Sequence, residues 1–224
     1  MMRTIGAWLA LLCVLGLAYA QRPEALKLGK EVALFNGKDL TGWTHYLADP
    51  QAKASDTWSV DTAEKVLICK GRPLGYIRTL KDYSDFVLKL EWRFNPVTKQ
   101  AGNSGVLLRI VGPDKIWPRC IEAQLMSGSA GDFWLIDEAQ LTTPPERVDP
   151  NAPRHRLHTH SNENPIGQWN TYEILCHGGR VRLKVNGEVL NEGTGADIRS
   201  GKIGLQSEGA EIHFRNVRLR PILP

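Results

Sequence analysis

The segment FVLKLEWRF, residues 86–94, leaves this chain little choice of fold. Phe86, Leu88, Leu90, Trp92 and Phe94 alternate with Lys89, Glu91 and Arg93. A period of two puts the apolar set on one face of a β-strand and the charged set on the other. Such a strand covers a core with one side only, so it calls for a sheet packed against a second layer.

Shorter runs repeat the theme. Residues 31–35 read as a first strand closed by the Asn36-Gly37 turn, and residues 58–60, 66–68 and 76–79 as three more. After Trp169 come strands at 171–176 and 180–185, then the Asn186-Gly187 pair, a hairpin signal because both residues tolerate positive φ, and the return strand 188–191. Residues 202–206 and 211–219 complete the series. In the last run Ile212 and Phe214 give way to Val217 and Leu219, and this one-residue slip predicts a β-bulge at Asn216. Beyond the N-terminus no segment carries a helical period. Roughly a dozen short strands joined by Gly/Asn turns predict an all-β sandwich of two antiparallel sheets.

The 224 residues suit one domain with a full core. The net charge of +4 is spread along the chain without a block of like charge. That pattern argues against a nucleic-acid or anionic-membrane partner. At the N-terminus Arg3 precedes an apolar run over residues 5–17 and then Ala18-Tyr19-Ala20. This is the pattern of a secretory signal peptide, too short for a comfortable membrane span. Leu12 before Cys13 argues against a lipid-modified cysteine. The expectation is cleavage after residue 20, a short linker over 21–29, one domain over 30–224, and a secreted or periplasmic product. Cys69, Cys120 and Cys176 then remain; an odd number, each in or beside an apolar run, predicts buried free thiols.

The centre of the chain, residues 102–127, reads as two strands around a Gly/Pro loop. Alternation places Val106, Leu108 and Ile110 on one face with Leu107 and Arg109 opposite, and Ile121, Ala123 and Leu125 opposite Glu122, Gln124 and Met126. Arg109, Glu122 and Gln124 would then share an open face, either as equipment for a ligand or as a solvated surface with an ion pair. Residues 128–167 are Pro-rich and irregular, as functional loops often are. They carry Asp132, Phe133 and Trp134, which could line a pocket, and a His155, His158, His160 cluster with three readings open: metal ligands, acid/base groups, or solvated lid residues. Trp117, Trp134 and Trp169 are candidates for stacking on sugar rings, whereas Trp43, Trp58 and Trp92 read as core.

Taken in order, LFNGKDLTGW (34–43), Arg78-Thr79, FVLKLEWRF, GNSGVLLR (102–109), IEAQL (121–125), QWNTYEI, VNGEVL, GKIGLQSEG and FRNVRLRP resemble the 3-keto-disaccharide hydrolase domain family over about residues 31–221. The resemblance implies a concanavalin-A-like jelly roll with a concave sugar-holding face, exported and acting on glycosides oxidised at the C3 hydroxyl. It implies a polar centre at Arg109, Glu122 and Gln124. Two departures stand out. Gly131-Asp132-Phe133-Trp134 replaces a Gly-Ala-aromatic segment, and Ser207-Glu208 follows Leu205-Gln206 where many members have a His.

A standard retaining glycosidase needs two carboxyls about 5–5.5 Å apart. After Glu122 the strand offers only Gln124 and Met126, and Glu91 lies on a different strand. A 3-keto sugar has a different requirement. Its ketone acidifies the C2 proton, so one base and a donor to the enolate oxygen suffice for elimination of the C1 substituent, followed by hydration. The expected catalytic set is Glu122, Arg109 and Gln124, and the expected substrate-binding set is Glu91, Arg93, Asn103, Asp132, Trp134 and His160. No metal or cofactor is assigned, with a divalent metal left open. The alternative is a non-catalytic glycan-binding or cell-surface module on the same sandwich.

Overall fold

The computed structural model describes residues 26–224; the signal-peptide reading and most of the linker lie outside them. The first strands are β1 (Val32–Ala33), β2 (Trp43–Leu47), β3 (Trp58–Asp61), β4 (Val66–Cys69), β5 (Gly75–Thr79) and β6 (Phe86–Phe94). β7 (Gly105–Val111), β8 (Arg119–Gln124), β9 (Phe133–Ile136) and β10 (His155–Arg156) follow. The last are β11 (Asn170–His177), β12 (Arg180–Val185), β13 (Glu188–Gly193), β14 (Lys202–Ser207) and β15 (Ile212–Pro221). One α-helical turn, Ala54–Thr57, and one 3-10 turn, Pro145–Arg147, complete the described elements.

Two antiparallel sheets form. One runs β13-β12-β11-β6-β15-β4-β3, with β1 on β15; the other runs β10-β9-β8-β7-β14-β5-β2. β6 sits centrally in the first sheet and buries its five alternating apolar residues completely or nearly so. They meet Ile77, Val106, Leu108, Ile121, Ala123, Ile203 and Leu205 of the second sheet in one continuous core. Trp43, Trp58 and Trp92 belong to that core, and Trp43 Nε1 donates to the Leu34 carbonyl at 2.7 Å. Cys69, Cys120 and Cys176 are buried and unpaired.

The bulge at Asn216 is present. Register slips between Arg215 and Arg218 against β6, and Asn216 takes φ 53°. The Asn186-Gly187 hairpin also forms, at φ 45° and 91°. Two expectations need correction. Residues 128–167 are not wholly irregular: β9 and β10 extend the second sheet at its β8 edge. The Phe133–Ile136 run is apolar enough to have signalled this, but it is short and hemmed by turn residues. The second correction is a strand at Trp43–Leu47, pairing with β5, where only a turn and an aromatic were read.

Candidate active site

The outer face of the second sheet carries a cavity of about 410 Å³. Its floor is built by β7 and β8. In register, Leu107 faces Glu122 and Gly105 faces Gln124. Glu122 and Gln124 therefore point the same way, as strand alternation requires, and both line the cavity. Gly105 makes the position of Glu122 possible: a Cβ there would stand 2.7 Å from Glu122 Cδ and closer still to Oε1. A glycine within a strand marks such a close approach.

Glu122 is 4% exposed, and its Oε1 is buried without a hydrogen-bond partner. Burial pushes its carboxyl up to about 8, with the negative charge of Glu208 adding to the effect. Gln124 is held differently. Its Oε1 accepts from the backbone N–H groups of Leu125 and Met126 at 2.8 and 3.0 Å, which fixes the amide and leaves its nitrogen as a donor for a ligand. Asn103 Oδ1 is also buried without a partner. One ladder step beyond the Leu205–Val106 pair, Gln206 lies beside Gly105, and neither polar atom of its side chain has a partner. Buried polar atoms are rarely left unmatched, so this concentration around Gly105 marks a place for a polar ligand.

The wall comes from the β9–β10 region. Asp132 Oδ2 binds His155 Nε2 at 2.7 Å, and its Oδ1 accepts the His158 backbone N–H at 2.6 Å and contacts His158 Nδ1 at 2.5 Å. Asp149 holds the other nitrogen of His155 at 3.0 Å, and Trp134 stacks on the ring at 4.4 Å between centroids. The network pins the long segment over the sheet edge. Trp117, 45% exposed, also lines the cavity. Beyond β14, on the same sheet face, Arg78 grips Asp114 with two bonds of 2.7 and 2.6 Å, and the Tyr76 hydroxyl donates to the same carboxylate at 2.9 Å.

A family model described as a 3-keto-alpha-glucoside-1,2-lyase-like domain matches residues 30–220. The chain belongs to this family. A curated relative, the 3-keto-disaccharide hydrolase of Bacteroides thetaiotaomicron, is 22% identical over 84% of this chain and 77% of its own length. A crystal structure from Parabacteroides distasonis, named as a candidate glycosyl hydrolase, aligns with TM-score 0.63 at 25% identity, covering 86% of this chain and 94% of that one. The β-glucanase of Bacillus licheniformis aligns with TM-score 0.57 at 12% identity over 88% of this chain and 99% of its own, a likeness of fold. The family domain is thus a concanavalin-A-like β-sandwich of the glycoside-hydrolase-like, carbohydrate-active kind.

Glu122, Gln124, Asn103, Asp132 and Trp134 converge on the cavity, whereas Phe133, between the last two in the chain, points the other way into the core. Arg109 does not line the cavity either. A bulge between Leu108 and Val111, with Arg109 at φ 54°, adds one residue to β7 and reverses the alternation. Ile110 turns to the outer face beside Leu107, and the Arg109 side chain is buried elsewhere. Its guanidinium donates to the carbonyls of Ser84, Gly178 and Ile198 at 2.5–2.9 Å and to Asp85 at 3.1 Å. It ties the β5–β6 connection to the turns after β11 and before β14, a structural task.

Glu91 and Arg93 lie on β6, whose apolar side faces the core, so their own side is the far surface of the molecule. Glu91 pairs with Arg215 and Asn216; Arg93 and Arg215 both stack on Trp169, at 4.4 and 4.1 Å. Trp169 is therefore not a cavity aromatic. His160 pairs with Glu188 at 2.9 Å on the surface. His155 and His158 meet on Asp132 while His160 lies apart, and among the described residues no three His, Cys, Asp or Glu side chains are placed to hold a metal ion. Sequence reasoning missed Glu208, His155 as a cavity residue, Arg154 and Gln206. Two had a signal: Glu208 as the replacement for a common family His, and His155 as a member of the loop histidine cluster.

Proposed function

We propose that this domain cleaves glycosides whose sugar ring carries a ketone at C3, outside the cytoplasm, with Glu122 as the acid/base group. The carrying observation is the state of Glu122: buried at the floor of a sugar-sized cavity, free of hydrogen bonds, and raised to about 8. A carboxyl poised near neutrality is suited to proton transfer. The family match and the curated relative's name supply the substrate class. The signal-peptide pattern of residues 1–20 supplies the expectation of export.

The C3 ketone weakens the C2–H bond, and a developing enolate needs a donor. The Gln124 amide nitrogen, oriented by the two backbone bonds to its oxygen, meets that need. Trp117 offers an apolar face to the ring, and Asn103 an unpaired acceptor for a hydroxyl. Arg109 has no part in this chemistry.

The test is release of glucose from 3-keto-trehalose by the purified chain, with and without chelator, beside Glu122→Gln. Turnover that falls at least about 100-fold in the variant supports the reading. Calorimetric binding without turnover in the wild type would replace the enzyme with a glycan-binding module.

A further inference from the structure

We propose that Glu208 is the second acid/base residue of this site, and that Glu122 and Glu208 work as a pair sharing one proton. The proposal rests on the 3-keto-glycoside reading and deepens it. Glu208 follows β14 and forms an isolated antiparallel bridge with Asn103, the residue leading into β7. The pairing of β14 with β7 thus sets Glu208 at the rim of the cavity whose floor holds Glu122. Glu122 and Glu208 line one space from separate strands, and the lining also holds Asp132, bound to its histidines, and Asp137, paired with Lys115. The absence of a second Glu on β8 does not leave the site with a single titrating carboxyl.

Their surroundings differ. Glu122 is buried and has no hydrogen bond and no cation beside it. Burial raises Glu208 as well, but the positive charge of Arg72 and then the Asn103 amide favour its ionised form. Environments that separate two carboxyls in this way assign the roles of acid and base. The other titratable groups around the pair are Arg72, Cys120, Asp132, Asp137, Arg154, His155 and, from the core side, the buried Tyr172. Asp132 and His155 are bonded to each other. Cys120 is buried and raised well above the usual thiol range, which keeps it neutral.

The cycle then balances. The Glu208 carboxylate takes the C2 proton. The C2–H electron pair becomes the C1=C2 bond, the C1–O bond breaks, and the Glu122 proton goes to the departing oxygen. Glu208 now holds the proton and Glu122 is ionised. Water then adds through its oxygen to C1 and gives a proton to Glu122, while Glu208 returns its proton to C2. The net change is hydrolysis, and the pair ends as it began.

The experiment compares wild type, Glu208→Gln and Glu122→Gln on 3-keto-trehalose and on a nitrophenyl 3-keto-glucoside in D2O. Deuterium uptake at C2 is followed by NMR. Glu208→Gln should lose C2 exchange and the release of both leaving groups by roughly 10²–10⁴-fold. Glu122→Gln should slow release of the sugar much more than release of nitrophenol, which needs less help from an acid. A Glu208→Gln variant whose C2 exchange stays within about threefold of wild type would overturn the pair, since general-base loss costs far more. If wild type turns over neither compound, the substrate reading fails and the pair is judged by isotope-edited infrared titration of the glutamates. There Glu208→Gln should lower the pH at which Glu122 ionises. An unchanged Glu122 titration would overturn the coupling.

Discussion

Replacing Glu122 by Gln keeps the side chain's size and removes its ionisation, so it isolates what one buried carboxyl does to stability. In the folded protein Glu122 is raised from 4.5 to about 8. Between those values the native state holds a proton that the unfolded chain has released, so wild-type stability falls as pH rises through the window. At ~1.4 kcal/mol per pH unit the full displacement corresponds to ~5 kcal/mol, a ceiling reached only above pH 8. Glu208 and Glu163 are also raised by burial and slope the same way. Asp114, held low by Arg78, acts in a lower window, its stabilisation being lost only as pH falls below the ordinary aspartate range. The difference between wild type and variant therefore reports Glu122 together with its coupling to Glu208. Urea unfolding from about pH 5 to about pH 9 should give curves that are close at the acid end and separate by several kcal/mol at the alkaline end, with Glu122→Gln the more stable. Parallel curves, within about 1 kcal/mol throughout, would refute the assignment of a buried, uncompensated carboxyl at the cavity floor.

Gly105→Ala should fold, because Gly105 does not adopt a positive φ, but its methyl would push the Glu122 carboxyl aside; turnover of 3-keto-trehalose should fall roughly 100-fold with the thermal midpoint little changed, and a variant with normal kcat would show that the carboxyl's place over Gly105 is immaterial. Arg109→Met leaves the carbonyls of Ser84, Gly178 and Ile198 without their donor and should cost ~3–5 kcal/mol in chemical unfolding; the folded fraction should retain near-normal KM, and a KM defect without a stability loss would return Arg109 to the site. Trp117→Ala removes the open aromatic wall of the cavity and should raise KM about tenfold, equivalent to ~1.4 kcal/mol of apolar contact, with unfolding unchanged; steady-state kinetics on 3-keto-trehalose checks it.

What the sequence by itself determined was the kind of layer and the facing of individual side chains within a regular strand. The alternation in β6, the Asn186-Gly187 hairpin and the slip at Asn216 all follow from local sterics and a period of two, so they were legible without neighbours. The same rule placed Glu122 and Gln124 together, because β8 runs without interruption between them. It misplaced Arg109 because the β7 bulge leaves no readable slip: apolar Val106, Leu107, Leu108 and Ile110, on both sides of Arg109, satisfy either phase, and only pairing with β8 and β14 selects one. Facing also says nothing of which sheet a strand joins. Glu91 and Arg93 were correctly put opposite the core face of β6, yet the sheet order sends that side away from the cavity. Glu208 shows the converse. Eighty-six positions beyond Glu122 in the chain (208 − 122), it reaches the same cavity because β14 pairs with β7. Long-range pairing, which local preference does not encode, decided which carboxyls share the site.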